Sequence, residues 1–526
     1  MTPDIINDAL SKLKNKNSSG PDNISTNLLK SIMPSIMGPI CHLFNLSFKT
    51  GYIPTILKTA KIVPIFKTGE SDKFTNYRPI SLLSSFSKLL EKVAGNQIMK
   101  YLNKFKLLYE HQYGFRAKHN TTQPLIHFLD KIYQALNKPE SEYTLGIFID
   151  LTKAFDTCDI DILLKKLDHY GFRGISNQWF ENYLKGRKQF TSIKGVNSSL
   201  EDILCGVPQG SILGPILFLI LINDLPNASK LFTILFADDT TLQYSSENLK
   251  SLYDYANSEL LKIADWFKAN KLTLNASKTK YILFRKKTKV LVCDSLKLFI
   301  ENKEIDRIGA GCKNESFKFV GIHLDENLTW NHHLKAVKNK ASSAVFALSN
   351  IRNLLPSNIK HTIYNSLFRS FVEYGIAAWG RNKSPEMKKI SLLQKRAVRI
   401  IDNAKTASHS DPIFFKYKIL KLNDLTDFNQ ATFMYKYTKN LLPSSFNDTF
   451  KKLGNFERSL NYQIDILNTG SLEYLPSYAL LKIWNNLPLD LKRSTSLGIF
   501  KKSLLAMLSD AYISKCNKPS CYSCKK

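Results

Sequence analysis

Two adjacent acids, Asp238 and Asp239, lie between the short apolar runs 231–236 and 240–244 of a 526-residue chain. An apolar run, an acidic turn and a second apolar run predict a β-hairpin with both carboxylates at its tip. Adjacent carboxylates repel, so a fold that presents them together gives up stability unless a cation lies between them. An isolated Asp-Asp can equally be an ordinary solvated turn, because Asp suits turns. What separates the two is whether the remaining sequence supplies a third acid, cations for phosphate and a surface for a polyanion.

Lys and Arg number 74 against 44 Asp and Glu, a net charge of +30 spread along the whole length. Such a field attracts polyanions and makes their binding salt-dependent, although a Lys-rich solvated surface carries the same charge. A hydrophobic content of 44% argues against wholesale disorder, and the length suits several domains. The longest apolar stretch, near 216–222, is far too short to span a bilayer. Residues 1–10 lack the basic-then-apolar order of a signal peptide. These features predict an intracellular, non-secreted protein without a membrane partner. Cys41, Cys158, Cys205, Cys293 and Cys312 are scattered singly, as reduced thiols are. Cys516, Cys521 and Cys524 cluster near the end, but with no fourth Cys or His after them they fall short of the four ligands of a structural zinc site, and zinc is not expected there.

Helical spacing appears at 4–13, 24–33, 40–49, 87–104, 159–169 with Asp159 as its N-cap, 211–221 and 249–268. Strands are predicted at 60–66, interrupted by Pro64, and at 144–150, with a polar loop over 67–76. From Trp330 to Arg399 helical periodicity dominates and carries many basic residues. Boundaries are expected near 325–335 and 400–410.

The strand Ile147-Phe148-Ile149 ends in Asp150. An acid directly after a β-branched run suits a core poorly unless paired or metal-bound. Alone it would be a helix cap or a strand-end acid. With Asp238 and Asp239 it makes three carboxylates on strand ends, which converge if the two elements are neighbours in one sheet. Oxygen-only ligands favour Mg²⁺, and two such ions suit phosphoryl or nucleotidyl transfer. Between the acids, Gly206-Val207-Pro208-Gln209-Gly210-Ser211 permits close backbone approach, and Gln209 offers a donor and an acceptor. By itself this is a turn before a helix; with the acids it is a surface for a nucleotide and its template.

In order along the chain, Phe148-Ile-Asp-Leu-Thr-Lys-Ala-Phe-Asp156, Gly206-Val-Pro-Gln-Gly-Ser-Ile-Leu-Gly-Pro215 and Phe236-Ala-Asp-Asp239 resemble motifs A, B and C of reverse transcriptases. Their residue choices are similar to those of non-LTR (LINE-type) retrotransposons, the jockey group above all. Ser19-Gly-Pro-Asp22 resembles the N-terminal extension motif of that family. Asn76-Tyr-Arg-Pro-Ile-Ser81 and Gln112-Tyr-Gly-Phe-Arg116 resemble its fingers motifs, Asn275-Ala-Ser-Lys-Thr279 its motif D, and Phe319-Val-Gly321 its primer grip. The resemblance implies an α+β right-hand polymerase fold. An N-terminal extension and fingers would occupy 1–130, and a palm with an antiparallel sheet 131–328, the two interleaved. A helical thumb would follow over 329–402, then a mostly helical C-terminal region with a Cys-containing tail over 403–526.

The resemblance also implies residue roles. Asp150 and Asp238 match the principal ligands of two Mg²⁺ ions, for which Mn²⁺ can substitute, and Asp239 completes the acidic cluster as a third, less direct metal ligand. Phe155 matches the steric gate against a ribose 2′-OH, although Phe more often simply packs in a core. Lys153 and Ala154 match positions whose amides face the triphosphate. Lys67 and Arg78 match the fingers cations that hold it; Lys67 fits a solvated loop cation equally well, while Tyr77 and Pro79 frame Arg78. Gln209 matches the nucleotide contact of motif B. Lys278 matches a general acid for the leaving pyrophosphate, with Lys280 the alternative if the register shifts by two. The implied activity is RNA-directed DNA polymerase: dNTPs are added to a primer 3′-OH on an RNA template by two-metal nucleotidyl transfer. The implied partners are RNA template, DNA primer or nicked target DNA, and dNTPs, in a nuclear and cytoplasmic ribonucleoprotein. The chain starts almost at the first fingers motif, so endonuclease activity is expected from elsewhere. A noncatalytic nucleic-acid-binding relic of the same fold and an intron-maturase-like polymerase are the competing readings.

Overall fold

The computed structural model describes residues 1–138, 142–286, 296–454, 456–464 and 475–512. Cys293 and the tail cysteines Cys516, Cys521 and Cys524 lie outside the described residues.

The chain opens with helices α1 (Pro3–Ser11) and α2 (Thr26–Thr50). Two separate helices are expected over the second span, because Pro34 and Pro39 each remove a helical hydrogen bond. One continuous helix forms instead. Ser25 caps its start by accepting from Leu28 N, Gly51 ends it in the left-handed region at φ 71°, and Leu29, Met33, Ile40 and Phe44 share a buried face. That burial outweighs local propensity, as it does for most protein helices.

A first sheet joins β1 (Thr59–Phe66), β2 (Tyr77–Leu83), β4 (Arg187–Ile193), β5 (Val196–Asn197) and β6 (Glu201–Ile203). Strand β1 pairs with β2 along its full length, but with β4 only over Thr59–Ile62. Pro64 therefore falls where β1 has a neighbour on one side only, opposite Pro79 of β2, and its missing N–H interrupts nothing. Strand β2 is not foreseen from the sequence. Helix α3 (Ser85–Lys104) follows it directly.

Helix α4 (Thr122–Leu136) leads into the central strand β3 (Tyr143–Ile149). Helices α5 (Ile160–His169) and α6 (Ile175–Leu184) follow, and Asp159 does cap α5 by accepting from Ile162 N. Then come α7 (Leu213–Ile222), the hairpin β7 (Phe232–Phe236) and β8 (Asp239–Ser246), α8 (Leu249–Ala269) and β9 (Lys280–Arg285). The short pair β10 (Phe299–Ile300) and β11 (Lys303–Glu304) precedes β12 (Asp306–Ile308). The second five-stranded sheet has the order β12-β9-β3-β8-β7, with β3 antiparallel to both β8 and β9.

Period-2 alternation divides the side chains of this sheet between two cores. Leu145, Ile147 and Ile149 of β3, with Tyr281 and Leu283 of β9, pack with α7 and α8 on one face. Phe148, Ile282 and Phe284 pack with Phe128 and other α4 residues on the other. The hairpin β13 (Phe317–Phe319) and β14 (Ile322–Leu324) joins that second face, with the Phe317 ring stacked on Phe148 at 4.1 Å.

The helices beyond continue the second core. In α9 (Asn331–Asn350), Leu334, Val337, Ala341, Val345 and Leu348 form one buried stripe at helical spacing, and α10 (Pro385–Ile401) packs on it. Helices α11 (Leu422–Thr438), α12 (Pro476–Asn485) and α13 (Leu497–Asp510) extend the same cluster to Tyr512. Asp130 of α4 accepts from Ser477 N at 3.0 Å, so a carboxylate of α4 caps α12 across 347 residues of sequence. Among the described residues, no helix is long and apolar enough to cross a membrane.

Candidate active site

The tip of the β7–β8 hairpin is a tight turn. Phe236 pairs with Asp239, leaving Ala237 and Asp238 as its two central residues, with Ala237 at φ 59°. An alanine in the left-handed region costs about 1–2 kcal/mol, so something outside the hairpin must hold it. The segment His111–Tyr113 does this by running alongside β7: Leu235 N donates to His111 O at 3.0 Å and Tyr113 N to Leu235 O at 2.8 Å. The buried Gln112 side chain then accepts from Gly114 N at 2.8 Å and from Ala237 N at 3.1 Å. Gly114 passes so close to the turn that a Cβ there would fall 2.2 Å from Ala237 N, which explains its identity.

The β3–β8 register pairs Ile149 with Thr240, so one further step aligns Asp150 with Asp239. The segment after α8 pins Asp150 from the other side. Asn275 N donates to Asp150 O at 2.9 Å, Thr152 N donates to Thr273 O at 2.9 Å, and Asp150 N donates to Thr279 Oγ1 at 3.3 Å. These bonds also deliver Lys278 to the site. Lys280 is carried elsewhere: its ammonium pairs with Asp306 at 2.5 Å.

Asp150 and Asp238 line a groove of about 1290 Å³ whose other walls include Lys67, Arg78, Phe155, Gln209 and Lys278. Lys153 and Ala154 also border it, Lys153 exposed at φ 48° and Ala154 buried. Burial raises the Asp150 carboxyl above the usual range; the Lys278 charge opposes this, the Asp238 charge adds to it, and Lys67 opposes it. Burial likewise raises Asp238, against the charges of Arg78 and Lys67. Asp239 is pushed up to about 6, first by loss of water contact and then by the charges of Asp238 and Asp150. Its side chain keeps an exposed face. The cations of one wall and the acids of the floor thus sense each other across the groove.

Among the described residues, no three His, Cys, Asp or Glu side chains close into a group that could by itself hold a metal ion. Asp150 and Asp238 offer hard oxygen donors to the groove, whereas Asp239 is not part of its lining. Such a donor set fits a divalent cation that keeps water and substrate oxygens in its shell, as Mg²⁺ does.

The loop after β3 is fastened to the loop before α7. Val207 N donates to Phe155 O and Gly206 N to Cys158 O, both at 2.8 Å. The Phe155 ring stacks on Phe218 of α7 at 4.6 Å, meets Phe115 edge-on at 6.1 Å, and still borders the groove. Core packing and a place on the groove wall are therefore both true of it. Gln209 O accepts from Ser81 N at 2.7 Å, tying this loop to β2.

Sequence reasoning missed two residues that set this geometry. Gln112 belongs to a motif legible in the sequence, but its clamp on the acidic turn is not legible there. Glu91, a lone acid in the apolar stretch of α3, is fully buried and accepts from Ile212 N at 2.6 Å and from Tyr183 OH at 2.9 Å. It thereby caps α7. An acid inside an apolar helical face was the available signal.

Residues 65–324 match the family described as reverse transcriptase (RNA-dependent DNA polymerase). Over 415 residues the chain is 31% identical to the probable RNA-directed DNA polymerase from transposon BS of Drosophila melanogaster, covering 75% of this chain and 44% of that one. Over 436 residues it is 27% identical to the RNA-directed DNA polymerase from mobile element jockey of the same species, covering 81% and 46%. Among solved structures, apo telomerase from Candida tropicalis aligns with a TM-score of 0.40 at 12% identity, covering 74% of this chain and 67% of that one. The chain spans less than half the length of these transposon relatives.

Proposed function

We propose, because this chain belongs to the reverse transcriptase family, that it is the RNA-directed DNA polymerase of a jockey-like non-LTR retrotransposon, extending a primer 3′-OH with dNTPs on an RNA template. The observation that carries this reading is the floor of the groove: Asp150 and Asp238 at adjacent strand ends of one sheet, facing Lys67 and Arg78. Positioning and charge, rather than covalent chemistry, are what phosphoryl transfer asks of a protein.

Asp150 and Asp238 would hold Mg²⁺, or Mn²⁺ in its place, with Asp239 adding negative charge behind them. When bound, these ions supply Lewis-acid activation of the primer hydroxyl and neutralise charge on the departing pyrophosphate. Arg78 suits bidentate contact with the triphosphate and Lys67 adds a point charge. The backbone at Lys153 and Ala154 faces the same phosphates. Phe155, stiffened by Phe218 behind it, excludes a ribose 2′-OH. Gln209 contacts the nucleotide, and Lys278 donates a proton to the leaving pyrophosphate. In this assignment 1–130 are N-terminal extension and fingers, 131–328 palm, 329–402 thumb and 403–526 a C-terminal region. The thumb grips an RNA–DNA duplex by shape and phosphate contact, within a nuclear and cytoplasmic ribonucleoprotein.

The test is primer extension by the purified chain on an RNA template with dNTPs and Mg²⁺. RNA-templated product is expected, and its rate should fall when Lys67→Ala and Arg78→Ala are combined. A purified, folded chain that binds template–primer yet extends nothing would point instead to a noncatalytic relic.

A further inference from the structure

The side-chain amide of Gln209 is held in one orientation. Its Nε2 donates to both carboxylate oxygens of Asp156, at 3.0 and 3.1 Å. An ionised carboxylate only accepts, so the amide atom facing it must be the nitrogen; the reverse orientation sets Oε1 against two anionic oxygens.

Asp156 is itself fixed. Its N donates to Lys153 O at 2.8 Å and its carbonyl accepts from Cys205 Sγ at 3.4 Å. Gly206, at φ 87°, presses so close that a Cβ would fall 2.5 Å from the Asp156 oxygen. Burial raises the Asp156 carboxyl, opposed by the Gln209 hydrogen bond and the Lys153 charge. Asp156 and Gln209 both border the groove. With Nε2 committed to Asp156, the amide atom left for a ligand is Oε1, an acceptor.

We propose that Asp156 is a positioning residue for nucleotide selection: it turns the oxygen of Gln209 toward the groove, so that the site asks the incoming nucleotide for a hydrogen-bond donor. This rests on the polymerase reading above and assigns a role to an acid outside the set Asp150, Asp238 and Asp239. The pair acts on binding of the nucleotide, not on the reacting phosphate.

The experiment is single-nucleotide incorporation by the full chain on RNA template and DNA primer with Mg²⁺, measuring KM and kcat separately. Asp156→Asn keeps the size but offers both a donor and an acceptor, so the amide is released to turn. KM for dNTP should rise about tenfold, the scale of one charge-assisted hydrogen bond, while kcat stays within about threefold. Gln209→Glu sets two carboxylates face to face and should raise KM by at least as much. Combining Gln209→Glu with Asp156→Asn preserves the total charge, again places an amide nitrogen opposite a carboxylate and again turns an oxygen to the groove. KM should then return to within about threefold of the starting value, which a merely structural role would not produce. If Asp156→Asn alone fails to fold, the comparison of Gln209→Glu with the double variant still decides. An unchanged KM in Asp156→Asn, or no recovery in the double variant, overturns the proposal while the polymerase function stands. A starting protein that extends no primer overturns both.

Discussion

Replacing Gln112 with Leu removes the clamp on the acidic turn while nearly preserving volume. The Gln112 side chain is buried, and its Oε1 accepts two backbone donors, Gly114 N at 2.8 Å and Ala237 N at 3.1 Å. Each buried N–H left without a partner costs about 1–3 kcal/mol. Against this, Gln112 Nε2 has no partner in the native fold, so deleting it returns about 1 kcal/mol. The net expectation is a local destabilisation of about 1–5 kcal/mol, at least as large as the cost of holding Ala237 in the left-handed region. Hydrogen exchange at the amides of residues 114 and 237 reads this locally, without requiring the whole chain to unfold in one step. Exchange there should accelerate by about fivefold to five-thousandfold, while amides in α13 stay unchanged. kcat for nucleotide addition should fall more than KM rises, because Asp238 rides on the released turn. Unaltered exchange at both amides together with unaltered kcat would refute the clamp.

Asp239 is raised to about 6 in the fold, so it contributes stability below its unfolded value that is lost as pH rises through about 6. Thermal stability without divalent cations should therefore fall between about pH 4 and 6, Mg²⁺ should reverse the loss above pH 6, and Asp239→Asn should flatten the profile. Phe155→Ala should raise incorporation of rNTPs relative to dNTPs by at least about tenfold with the fold intact, measured by competition on one template. Glu91→Leu leaves Arg187 buried without its counter-charge and uncaps α7. It should destabilise the chain by about 3–5 kcal/mol, read as a lowered urea midpoint, whereas Glu91→Gln, which keeps an acceptor for Ile212 N, should cost less.

What was legible in the sequence was legible for physical reasons. The acidic tip and the strand ending at Asp150 announce themselves because a period-2 apolar run followed by a carboxylate has few explanations. Once both strands enter one sheet, register alone brings Asp150 beside Asp239. Asp159 was readable as a helix cap because capping is local. Strand β2 was hidden because Tyr77-Arg78-Pro79 breaks the alternation, and α2 looked divided because its prolines speak louder than the face it buries. Gln112 and Glu91 were opaque for a different reason. Their partners lie 125 and 121 residues away, and no local pattern marks a side chain whose role is to satisfy a distant backbone.

On the proposed function, Asp238 serves nucleotidyl transfer and not merely the hairpin. Single-turnover extension by Asp238→Asn, with template–primer affinity measured separately, tests it most directly. Extension should slow by about a thousandfold or more while affinity for the duplex stays within about threefold, because a ligand for the reacting ions is lost but the binding surface is not. Extension by Asp238→Asn at the rate of the unaltered chain would contradict it.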